Sequence, residues 1–213
     1  MEGRRAITAG YLLTAIAGWV DAQGFLALKG VFVSFMSGNT TLLGVFAAQE
    51  NWAQARPVAL VIGLFLAGGF LGAVLSGAVG RRGIQAVLLL EAAILLAALA
   101  VAVGFGATAT AAVILALAMG VQNAAVVATG PVKAGATYVT GTLVSAGLEL
   151  GKLAAGSGSR KVLAGHLTTW GALFAGVAAG ALADRAFGIS ALIVPCAAAF
   201  ALAAWPGERE PKS

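Results

Sequence analysis

The chain has 213 residues, of which 60% are hydrophobic and only 10% charged. Soluble domains carry about 25% charged residues, and a water-soluble fold of this size could not hide so much apolar surface. The formal net charge of +5 does not mark a nucleic-acid binder. The basic residues stand singly or in pairs at the ends of apolar runs, where topology determinants stand.

Apolar runs of about 20 residues recur along the chain, which is the transmembrane-helix pattern. In order, the expected segments are 6–28, 31–49, 57–80, 83–105, 108–129, 134–150, 162–183 and 189–205, joined by connections of a few residues. Arg4-Arg5 before the first apolar run resembles a signal peptide, but no soluble domain follows a cleavage point, so the run reads as a retained first span. The 30 glycines suit close helix approach in lipid. Gly68, Gly72, Ser76 and Gly80 form one small-residue ladder, and Ala172, Gly176 and Gly180 another. Both are expected to be packing seams.

The second half repeats the first. Gly18-Trp19-Val20-Asp21-Ala22 matches Gly120-Val121-Gln122-Asn123-Ala124. Ser37-Gly38 and Gly44 match Thr140-Gly141 and Gly147, while Gly63, Ala67, Gly68 and Gly72 match Gly171, Ala175, Gly176 and Gly180. The expected division is therefore a first membrane repeat over 1–106 and a second over 107–213, together one transmembrane domain. If segments two and six re-enter on the side from which they came, only Lys29, Arg56 and Arg185 lie outside, and the other ten of the 13 Lys and Arg lie inside. Eight full crossings would put eight inside and five outside. The positive-inside bias favours the re-entrant arrangement, with both termini cytoplasmic. Three crossings per half would invert the second repeat relative to the first, a common transporter plan. The fold class is all-α and polytopic, with six full transmembrane helices and two broken or re-entrant ones; eight full spans is the alternative.

Polar residues at membrane depth supply the candidate site. Asp21 is an isolated carboxylate deep in the first span, where such residues usually face a bundle interior or a wet cavity. Its other reading is a helix cap. Met36-Ser37-Gly38-Asn39-Thr40-Thr41 is polar within an apolar run and is expected to unwind at Gly38, exposing backbone to a substrate path. Thr140, Gly141 and Thr142 are its counterpart, with Gly141 as the second break. Gln122 and Asn123 correspond to the Asp21 region, and Glu91 is a second carboxylate within an apolar run. Each also has a plainer reading as interhelical hydrogen-bonding glue. The path is expected between segments one, two, five and six. His166 and Cys196 are each the only residue of their type, so no metal site or cofactor is expected. Glu149 and Lys152, one turn apart, read as a rim ion pair. No Gly-x-Ser-x-Gly, phosphate loop or His-Glu-x-x-His is present, so an enzyme is not expected.

The Gly-Trp-Val-Asp-Ala-x-Gly-Phe-Leu run at 18–26, Phe35-Met36-Ser-Gly-Asn-Thr40, Glu91, Gly120-Val-Gln-Asn-Ala124 and Val139-Thr-Gly-Thr142 together resemble the YoaK family of bacterial integral membrane proteins. The resemblance spans nearly the whole chain. It implies a bacterial inner-membrane location and brings no substrate. The expected function is movement of a small solute or ion at a midplane polar site between the repeats. A channel of the same architecture, and a non-transporting scaffold or sensor, are the alternatives. The expected partners are the lipid bilayer and that unidentified solute or ion, with no nucleic acid; a homo-oligomer stays open.

Overall fold

The computed structural model describes residues 2–129 and 139–204. These residues form eight α-helices: α1 (Glu2–Ala27), α2 (Met36–Ala48), α3 (Trp52–Val79), α4 (Gly83–Phe105), α5 (Thr108–Thr129), α6 (Val139–Ala154), α7 (Arg160–Phe187) and α8 (Ile193–Ala204). There is no strand among the described residues. Tight 3-10 turns join α3 to α4 and α7 to α8. Three helical stretches are long and apolar enough to cross a membrane: Trp52–Phe105, Thr108–Ala125 and Arg160–Ala204. Two of these stretches each contain a pair of helices joined by such a turn. The outer faces are apolar too. Leu66 is 73% exposed, Phe70 67% and Leu182 67%, a surface suited to lipid.

Helix ends are set by caps that hydropathy does not register. α3 begins at Trp52, before Pro57, because the Asn51 side chain accepts the Gln54 N–H at 3.4 Å. α7 begins at Arg160 because Ser159 Oγ accepts the Val162 N–H at 3.5 Å. α4 ends where Gly106 turns left-handed at φ 64°. α2 has 13 residues, which is about 20 Å and too short to cross a hydrocarbon core of about 30 Å by itself. Segment two is helical only from Met36, and residues 28–35 before it are non-helical. The expected unwinding at Gly38 is therefore corrected: Gly38 lies inside α2, and the break precedes Met36. Gly141 likewise lies inside α6.

The core runs along α1, α4, α5 and α8. Val20, Leu95, Leu115 and Met119 are fully buried there, as are Ala199 of α8 and Leu192 in the turn before it. α5 is the most enclosed of the three candidate crossing stretches, 56% buried against 39% and 33% for the others. α3 packs on α5, and α7 packs on α1. At each crossing, glycine lets one backbone touch the other. A methyl group at Gly18 would run into the Leu173 carbonyl, and one at Gly176 into the Ala15 carbonyl. A methyl at Gly120 would run into the Phe65 carbonyl, and one at Gly68 into the Leu117 carbonyl. Gly180 meets Trp19 as Gly72 meets Val121. Of the two ladders foreseen in the sequence, Gly68 and Gly72 form a seam with α5 around Gly120, and Gly176 and Gly180 one with α1 around Gly18; Gly80 lies in the turn after α3 with nothing within 4 Å of a Cβ, and Ser76 meets Gly83 instead. The crossings match residue for residue, each joining the first helix of one half to the third helix of the other. An apolar cavity of about 410 Å³ lies among α1, α7 and α8.

Candidate functional site

The site begins with a backbone problem. Residues 28–35 leave helical geometry beside apolar helices, and non-helical backbone at membrane depth must be satisfied by protein or by a water-lined cavity. Asp21 and Asn39 solve much of it. Asp21 Oδ1 accepts the N–H groups of Val33 and Ser34, both at 2.8 Å. The Asn39 amide closes a two-way pair with Phe32: Oδ1 accepts the Phe32 N–H at 3.0 Å, and Nδ2 donates to the Phe32 carbonyl at 2.6 Å. Asn39 is fully buried, Ser34 3% exposed and Val33 fully buried.

Two glycines complete this cradle. Gly24 lies one turn after Asp21 on the same face of α1. A side chain there would strike both Val33 methyls, so the Asp-x-x-Gly spacing holds the connection's backbone while admitting its side chain. A Cβ at Gly38 would stand 2.6 Å from Phe35 Cδ1 and 3.2 Å from Phe32 Cδ2, so Gly38 is the platform for these two rings. The rings meet edge to face, centroids 5.3 Å apart and planes at 84°. Phe25 leans on Phe32 at 4.8 Å.

Asp21 is only partly buried, because it also borders a cavity of about 300 Å³. The described lining consists of Asp21 from α1, Phe32, Ser34 and Phe35 from the connection, Val139, Thr140 and Leu143 from α6, and Leu173 and Val177 from α7. One carboxylate and two hydroxyl-bearing side chains thus face an otherwise apolar chamber. No basic side chain is among the described lining residues.

Other candidate residues lie elsewhere. Ser37 and Thr40 are exposed on α2, and Thr40 Oγ1 donates to the Met36 carbonyl at 2.8 Å. Gly141 is exposed and Thr142 half-buried on α6. Gln122 is fully buried and donates through Nε2 to the Leu13 carbonyl at 3.0 Å, binding α5 to α1. Asn123 donates to the Met119 carbonyl of its own helix at 2.8 Å. Glu91 is fully buried in α4, and neither carboxyl oxygen has a hydrogen-bond partner among the described residues. Near it, Cys196 Sγ on α8 donates to the Ala92 carbonyl at 3.5 Å. The described lining therefore draws on α7 where segment five was expected. Of the candidate residues, only Asp21 and Thr140 border the cavity directly, with Gly38 and Asn39 supporting it. Phe32 and Ser34 were missed in the sequence. Their signal was available, since an Asp-x-x-Gly run and a buried Asn so near each other bracket the connection they hold. Glu149 and Lys152 form the expected ion pair at 3.2 Å, and Glu149 Oε1 also accepts the Ser159 N–H at 2.6 Å, tying α6 to α7.

An all-helical body with apolar outer faces and several membrane-length helical stretches is a multi-pass integral membrane protein in contact with the lipid bilayer. The chain belongs to the family described as "Protein of unknown function (DUF1275)", whose profile matches residues 9–205. It is also 38% identical over 205 residues to a UPF0700 transmembrane protein of Rhizobium meliloti (strain 1021), covering 94% of this chain and 88% of that relative. No solved structure matches the chain.

Proposed function

We propose that the protein moves a small solute or ion across the bacterial inner membrane, with the Asp21 cavity as its binding point. The observation that carries this reading is a carboxylate bordering a cavity of about 300 Å³ at a helix break inside an apolar helical body. Intramembrane carboxylates are costly and tend to mark ion and substrate paths. A second observation favours the scaffold reading: one Asp21 oxygen holds two backbone N–H groups, which is a structural duty. The two duties are compatible, because Asp21 holds the connection through Oδ1 and still borders the cavity. No catalytic role is assigned to any residue.

The same proposal treats the chain as two related halves, supported by the matched glycine crossings of α1 on α7 and α3 on α5. It keeps both termini cytoplasmic and makes α2 and α6 re-entrant, supported by the charge distribution and by the length of α2.

The test is reconstitution of the purified chain into vesicles with an imposed pH or sodium gradient, after a thermal-shift screen for a solute. Saturable, gradient-dependent uptake that Asp21→Asn removes is the expected result. A voltage-dependent open-pore current without saturation replaces the transporter by a channel. Unchanged gradient-dependent uptake in Asp21→Asn leaves Asp21 with its backbone duty alone.

A further inference from the structure

We infer that the Asp21 cavity takes a small organic monocation, an amine or quaternary ammonium group. The inference rests on reading this cavity as the solute site, and it names the class of solute. The chamber has one formal charge among its described lining residues, and that charge is negative. A neutral solute would bring no charge to balance the carboxylate beyond its hydrogen bonds, and an anion would be repelled by it.

A bare metal ion is a poor match. Hard cations take six to eight oxygen ligands, while the described lining supplies one carboxylate and the hydroxyl-bearing Ser34 and Thr140. Among the described residues, no group of three His, Cys, Asp or Glu comes together. Two aromatic rings share the described lining with the carboxylate. Phe32 and Phe35 both line the cavity, and their planes meet at 84°, which makes an aromatic corner in its wall. Aromatic faces attract weakly hydrated organic cations and hold them without hydrogen bonds. The corner is a built feature, because Gly38 makes room for the rings and Asn39 clamps Phe32 through both of its backbone polar groups. The one carboxylate among the described lining residues balances a single positive charge, which favours a monocation over a polyamine.

Choline and its uncharged isostere 3,3-dimethylbutan-1-ol separate charge from shape. With the full chain in lipid nanodiscs, calorimetry is expected to show saturable choline binding and about tenfold or weaker affinity for the isostere. Asp21→Asn keeps an acceptor for the Val33 and Ser34 amides, so it should fold and lose choline binding. Phe35→Leu should weaken choline about three- to tenfold and leave the isostere unchanged. No choline binding, equal affinity for the two compounds, or unaltered binding in both variants overturns the inference. If another solute shows Asp21-dependent flux while choline neither binds nor competes, the transport reading stands and the monocation assignment falls. Choline binding without flux in vesicles gives the converse.

Discussion

Asn39 is the residue whose loss should be felt first. Its amide satisfies both polar groups of the Phe32 backbone from a fully buried position. Asn39→Ala should lower stability by about 1–3 kcal/mol, because a buried donor and acceptor lose their partners. Chemical unfolding in detergent measures this, and a wild-type midpoint would remove the clamp from the cradle. Glu91 should behave in the opposite way. Its carboxyl is fully buried with neither oxygen partnered among the described residues, so its side chain costs free energy where it stands. Glu91→Met keeps the length and removes the polar group, and it should leave thermal stability equal or higher. A loss above about 1 kcal/mol would mean that Glu91 has a partner that matters to the fold.

At the scale of helices, the glycine crossings carry the packing. Gly72→Leu and Gly176→Leu should each destabilise by about 1–3 kcal/mol, because backbone on the facing helix occupies the space. Gly44→Leu is the control, since nothing lies within 4 Å of a Cβ there. Equal thermal stability for all three would dissolve the seam assignment. These ladders were legible in the sequence because small residues at fourfold spacing have few other uses in lipid. Segments 83–105 and 108–129 were legible to the residue, since Gly106 punctuates them. The ends of α3 and α7 were not, because Asn51 and Ser159 extend them beyond the apolar runs. Gly38 misled for a physical reason. Glycine beside polar residues suggests unwinding, yet here it makes room for the Phe35 and Phe32 rings, three and six residues before it in the connection. The Asp21 partner set was hidden because its acceptor meets backbone N–H groups, which every residue but proline has.

For the molecule as a whole, orientation is the open axis that an experiment can fix. In a Cys196→Ala background, cysteines placed at Arg82 and Arg160 should label only from the cytoplasmic side. Labelling at Arg82 from the periplasm would restore eight crossings. The order of the packed helices along the chain has a further consequence, which concerns biosynthesis. α1 leaves the ribosome first, yet the helix it seats on, α7, comes late in the chain. The α3–α5 contact can close midway through translation, whereas the α1 groove around Gly18 stays open to lipid or to the insertion machinery until Gly176 and Gly180 arrive. Assembly therefore has an order, with the α1–α7 contact closing after the α3–α5 contact and α8 docking on α4 and α1 later still. Residues 1–106 expressed alone should be degraded, and coexpression with 107–213 should rescue them as a copurifying pair. Stable accumulation of the first fragment by itself would show that the newborn α1 does not need to wait for its mate.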